Sequence, residues 1–303
     1  MWFIFAILTT LIWGLAELFY KKGSRQDEKY SHLKVCVCVG AVMGIHAVFT
    51  LLTKDINYDP VNLLRYIPVS LSYIISMALS FFGVRYIEES ISDPIENTSG
   101  ALCTILCMLM LHQHISMMSG IAILIMVIGI VGIGYIENSG DSARSQELGR
   151  TLAKVAFAMP FCYAALDAVG SFLDIYYLDI ATSPLVGVTE ATIEEVANTS
   201  YELTFALCAV ILFIFMKLQH VRFELPTQRD KIIAAVCETA GQFTYVYAMS
   251  GNGAIAAPII SSVCFVSLLL SRIVLKEKLT RIQYILLVLI IGGILMLAVI
   301  EGE

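Results

Sequence analysis

Two pairs of side chains stand out for the chemistry that their types and spacing allow: Trp13 with Glu17, and Tyr163 with Asp167, each set in apolar sequence. Residues at i and i+4 share a helix face, so each pair offers one ring and one carboxylate to the same neighbour. An organic cation suits that pairing, drawn to the ring face and neutralised by the acid. Glu202 and Glu238 add acids in other apolar stretches, and Gln242 and Tyr245 follow Glu238 along its helix. An ionisable side chain at mid-bilayer costs about 2.5–3.5 kcal/mol on insertion scales, so each of these groups needs a partner or a watery cavity.

Simpler readings compete with some of these assignments. Glu17 lies four residues before Lys21 and could pair with it at a helix end, whereas Asp167 has no basic residue within a turn. Glu190, Glu194, Asn198 and Glu202 recur every four residues, a polar stripe that could be a solvated helix end; a helix from Pro184 to Lys217 would be about 50 Å long, longer than the hydrocarbon. Of that stripe, Glu202 lies deepest and is expected to face a cavity. Glu238 could bind substrate or carry a proton, since burial raises an acid's proton affinity. His46 reads first as a packing residue. Cys103 and Cys107 share a helix face, but no His or carboxylate is spaced to complete a metal site, and neither a metal nor a cofactor is expected. A set of nucleophile, base and orienting residue is also missing, which argues against an enzyme.

These side chains must be held by membrane helices. The sequence is 58% hydrophobic and 15% charged, with a mean hydropathy of +0.81, outside the range of soluble domains. Windows long enough to cross about 30 Å of hydrocarbon fall at 2–20, 35–53, 65–84, 91–111, 117–136, 151–173, 196–217, 231–249, 254–275 and 282–300. The first window lacks a preceding basic segment and a small-residue cleavage site, so it reads as a helix and not as a signal peptide. Basic residues crowd into alternate loops, around Lys21 and Lys34, Arg144 and Arg150, Arg222 and Arg229, and Lys276 and Lys278. The positive-inside rule puts those loops in the cytoplasm and, with ten helices, both termini outside. The formal charge of −6 and the lack of basic tracts offer nothing to nucleic acid; the expected partners are the lipid bilayer, a small-molecule substrate and protons.

Residues 91–137 also align without a gap on residues 255–301, roughly ten of 47 positions being identical, which reads as an internal repeat. Ile91/Ile255, Pro94/Pro258, Leu111/Leu275, Gly129/Gly293 and Glu137/Glu301 agree, and the prolines read as helix starts. The expected fold is all-α integral membrane, with ten transmembrane helices as two inverted five-helix repeats around a central cavity. A repeat with an odd number of spans sits upside down relative to its copy, which gives two near-equivalent packings around one site. The halves are 1–137 and 151–303, joined by a polar linker over 138–150. Small-residue faces such as Gly129, Gly132 and Gly134 suit packing within a monomer or between two copies.

Leu11-Ile12-Trp13-Gly14 in the first helix, together with Lys276-Glu277-Lys278-Leu279-Thr280-Arg281-Ile282-Gln283 ahead of a helix containing Gly292-Gly293, resembles the EamA-type members of the drug/metabolite transporter superfamily. The resemblance covers nearly the whole chain. Leu286 departs from a glycine expected after the Gln, and the first copy, Gln113-His114-Ile115-Ser116, lacks the glutamate. The resemblance implies a basket of helices, a secondary transporter or exporter activity, and a fourth and ninth helix near the cavity, where Asn97, Ser261 and Ser262 could hydrogen-bond substrate. The leading expectation is a permease in the plasma (cell inner) membrane for a small cationic or zwitterionic metabolite, coupled to protons. Export of neutral or mixed metabolites or drugs, and a non-transporting scaffold, are the alternatives.

Overall fold

The structure is a computed structural model and describes residues 1–23, 28, 30–83, 95–138, 150–270, 273–274 and 280–301. Apolar runs cannot leave backbone polar groups unpaired in lipid, and a helix satisfies them within one segment. The described residues are accordingly helical and contain no strand. Helix α1 covers Trp2–Gly23, α2 Ser31–Thr53, α3 Val61–Arg65, α4 Ile67–Gly83, α5 Ser99–Met110, α6 Met117–Asn138, α7 Arg150–Leu178, α8 Ile193–Leu218, α9 Arg229–Ile260, α10 Val263–Leu270 and α11 Arg281–Glu301. Among the described residues, the stretches Trp2–Tyr20, Ser31–Thr53, Ala158–Leu178 and Ile193–Leu218 are long and apolar enough to cross a membrane, and Ile67–Ser80, Ser99–Met110, Met117–Gly132 and Arg281–Leu297 are shorter apolar helices. Ile45, Phe49 and Leu52 of α2 and Val210, Ile211 and Ile214 of α8 are exposed, the surface that lipid would cover.

Several boundaries differ from the sequence reading. The helix expected from Pro184 begins only at Ile193. Gly187 takes the left-handed φ of 68°, and Asn62 clamps the loop by donating to the Val186 carbonyl at 2.9 Å and accepting from its N–H at 2.8 Å. Glu190 is therefore outside the helix, and the 26 residues of α8 span about 39 Å. The eighth and ninth spans also divide differently. Asn252 breaks the helical backbone inside α9 (φ −157°, ψ 70°), and Ser261 and Ser262 form a turn before α10. Pro258 thus lies late in its helix, not in a first turn. Proline cannot donate to the carbonyl four residues back, and the Thr104 hydroxyl of α5 donates to that carbonyl, Ala254 O, at 2.6 Å. Pro94, Lys276 and Lys278, and most of the expected linker, lie outside the described residues.

The Leu-Thr-…-Gln signature has a local cause. The Thr280 N–H donates to Gln283 Oε1 at 2.7 Å and the Gln283 N–H to Thr280 Oγ1 at 3.3 Å, a reciprocal cap at the start of α11. The aligned positions in the first half, Ser116 and Ser119, cap α6 with a Ser119 N–H to Ser116 Oγ bond of 3.0 Å.

The helices pack α1 along α9 and against α10, α4 along α7, α7 against α5, α2 along α8, and α6 along α11. At the last crossing a side chain on Gly129 would collide with Ile290, and one on Gly293 with Met126. Ile290 and Met126 are themselves aligned positions, so the contact is reciprocal. Glu28 accepts from Lys34 at 2.6 Å and Lys231 at 2.7 Å, tying the chain between α1 and α2 to the start of α9. Burial alone would raise the Glu28 carboxyl, but hydrogen bonds and charge from Lys231 and Lys34 outweigh it and hold it at about 2.

Candidate substrate cavity

The aromatic floor of the cavity comes from α1 and α9. Gly241 lets the two helices approach, because a Cβ there would overlap the Trp13 ring. Trp13 Nε1 donates to the Glu238 carbonyl at 3.2 Å, and its ring stacks on Tyr245 with centroids 5.1 Å apart and planes at 28°. Indole and phenol are thereby fixed before any ligand arrives. The Tyr245 hydroxyl meets that of Tyr73 at 2.6 Å, and both lie within hydrogen-bond distance of Ser171 Oγ, at 3.1 and 3.2 Å. Below them Tyr73 donates to Asp174 Oδ2 at 3.2 Å, and Tyr66 donates to Asp174 Oδ1.

Above this floor lies a cavity with about 1260 Å³ of atom-free space, part of it open to the outside. Glu17 and Tyr20 enter from α1, Tyr163 and Asp167 from α7, and Glu238 and Gln242 from α9, while Glu96, Asn97 and Ser99 lie at the entry to α5. Tyr20 donates to Glu238 Oε2 at 3.3 Å, and Ser80 donates to Glu96 Oε2 at 2.8 Å. Ser261, in the turn between α9 and α10, also lines the space and accepts the Gly100 N–H at 3.0 Å. The structure thus gathers Trp13, Glu17, Tyr163, Asp167, Glu238, Gln242, Tyr245, Asn97 and Ser261 around one cavity.

The model of the EamA-like transporter family matches residues 1–135 and 182–299, most of the chain. The chain belongs to the EamA-like transporter family. It is accordingly an integral membrane transporter of small molecules, in a family of transporters and not of enzymes. Twenty-eight chains of solved structures resemble it; one, titled "Crystal structure of protein", has a TM-score of 0.69 at 13% identity, covering 99% of this chain and 96% of its own, a likeness of fold. No curated protein matches.

Within this EamA-like chain, Glu202 departs from expectation. It is fully buried but does not line the cavity. Its two carboxylate oxygens each lie 2.8 Å from His46 Nδ1, and Asn198 Nδ2 donates to Oε1 at 3.0 Å. The stripe ending at Glu202 therefore turns toward α2, and not inward. Lys21, the helix-end partner expected for Glu17, has its side chain outside the described ones. Glu194 accepts from Ser250 of α9 at 3.0 Å and Glu195 from Lys54 at the end of α2 at 2.6 Å, so both carboxylates are bonded to neighbouring helices.

Sequence reasoning missed Tyr20, Tyr73 and Ser171 in the lining, and Asp174 beneath it. One signal was available: Asp174 lies seven residues after Asp167, two turns along the same face. Ser70, Tyr73 and Ser76 likewise recur every three residues in α4 and are all buried, a polar seam inside an apolar helix. Among the described residues no group of three His, Cys, Asp or Glu could hold a metal ion.

Proposed function

We propose that this transporter carries small cationic or zwitterionic metabolites, such as amines, quaternary ammonium compounds or amino acids, in exchange for protons. One observation carries the reading: Glu17, Glu96, Asp167 and Glu238 line the cavity beside Trp13, Tyr163 and Tyr245, and no Lys, Arg or His is among its described lining residues. Carboxylates gathered in a partly dry space repel one another and favour a ligand that brings positive charge. The aromatic walls contribute roughly 0.5–2 kcal/mol per cation–π contact, the more so away from water. In this reading Asp167 and Glu17 are the countercharges, Glu238 binds substrate, and Asn97, Gln242 and Ser261 fix orientation by hydrogen bonds.

The mechanism is alternating access by two inverted five-helix repeats, 1–137 and 151–303, in the plasma membrane with both termini outside. Packing supports the repeat: exchanging the halves turns the α1 and α9 contact into that of α7 and α4, and the α1 and α10 contact into that of α7 and α5. It turns the α2–α8 and α6–α11 contacts into themselves. Uptake of labelled amines and amino acids into proteoliposomes, with and without a pH gradient, tests the proposal. Saturable flux of cations that responds to the gradient is expected. Flux of neutral compounds alone would point to the exporter reading, and no flux of any compound to a scaffold.

A further inference from the structure

Outside the cavity, one buried carboxylate is bonded to the one histidine that lies deep within a helix of the bundle. Glu202 of α8 is fully buried, His46 of α2 keeps a third of its side chain exposed, and the two meet at 2.8 Å. A carboxylate only accepts hydrogen bonds. Oε1 already takes Asn198 Nδ2, so the arrangement fits an ionised Glu202 with the hydrogen on His46 Nδ1. That leaves Nε2 as the basic atom, and no protein partner for it appears among the described residues. His46, Asn198, Phe243, Tyr247, Glu194, Glu195 and Lys54 line a second pocket. The pocket reaches from His46 to the end of α2 at Lys54, eight residues or about 12 Å along the helix.

We propose that the His46–Glu202 pair is the proton site of the transport cycle, loaded through this side pocket and separate from the substrate cavity. The inference rests on the transport reading above. The step is a simple one: a proton from water forms an N–H bond at the His46 Nε2 lone pair, Glu202 stays a carboxylate, and the net charge of the pair goes from −1 to zero. Release reverses it. Because α2 and α8 come from different halves of the chain, the step changes the attraction across the seam between them. An imidazolium holds the carboxylate more tightly than an imidazole does, so loading favours the arrangement seen and release loosens it.

The other charged groups of this pocket have partners of their own. Lys54 is bonded to Glu195, and Glu194 accepts from Ser250; Tyr247 of α9 packs its ring on Phe243. On the cavity side Tyr73 of α4, Tyr201 of α8 and Glu238 of α9 face the other space, and Asp174 of α7 is held by Tyr66 and Tyr73.

The test has two readouts on full-length protein. In the first, purified protein is jumped from about pH 8 to pH 5, the range in which histidine titrates, and bound protons are counted with an indicator dye. His46→Gln should take up one proton fewer per chain than the wild type; an equal count overturns the proposal. In the second, His46→Gln proteoliposomes should lose pH-driven accumulation of a labelled amine while keeping counterflow at equal pH. Retained accumulation, or loss of both, overturns the coupling role. If the wild type moves no amine, the transport reading falls and the proton count alone decides the pair. Should His46→Gln fail to fold, His46→Asn serves both measurements.

Discussion

Asp167 gives the clearest single-residue test of the cavity. Its side chain enters from α7 opposite Glu17 and Glu238, beside Tyr163 one turn away. Asp167→Asn keeps the shape but removes the charge, so it should abolish transport while the protein still inserts and remains monodisperse; unchanged uptake would remove Asp167 from the site. At this scale the sequence was informative wherever spacing within one helix carried the message, as in Trp13 with Glu17 and Tyr163 with Asp167. It was uninformative where a partner came from another helix. Nothing local says that Glu202 turns to His46, 156 residues away, or that Tyr73 joins Tyr245 and Asp174, because those contacts exist only after packing.

The elements are held by polar bonds at their breaks and ends, and two of these are open to direct test. Thr104 satisfies the Ala254 carbonyl that Pro258 leaves without its helical donor. Thr104→Val should orphan that carbonyl and lower stability by about 1–3 kcal/mol, read as a fall in the thermal midpoint of the detergent-solubilised protein. Glu28 behaves differently with pH. Its carboxyl is lowered from the usual 4.5 to about 2 in the folded chain, so its stabilisation is complete above pH 4.5 and is lost as pH falls through about 2. Glu28→Gln should therefore destabilise by a constant amount between pH 5 and 8, and the gap to wild type should close on acidification below about pH 4. Helix positions were readable from apolar run length. The break at Asn252 and the late start of α8 were not, since a clamp from Asn62 and a turn at Gly187 decide the latter through tertiary contact.

At the scale of the whole molecule, the repeat predicts more than its aligned letters. Gly129 and Gly293 agree in sequence because α6 and α11 cross reciprocally there, and the caps at Ser116 and Thr280 keep a role while changing residue. The polar cavity residues follow it only in part: Trp13 with Glu17 on α1 is answered by Tyr163 with Asp167 on α7, whereas Glu96 and Asn97 align with Ile260 and Ser261. The charge pattern of the loops predicts that reporters fused to either terminus are outside the cell, and a cytoplasmic reporter would overturn that orientation. The central claim, that the cavity binds cations, can be read without any transport assay. The chain has two tryptophans, so Trp2→Phe leaves Trp13 as the only indole, stacked on Tyr245 in the cavity. Titrating this variant with a small organic amine should change the Trp13 emission saturably, an effect lost in Asp167→Asn and absent with a carboxylic acid of similar size. Emission that responds to the acid or to a neutral analogue, and not to the amine, would contradict the account.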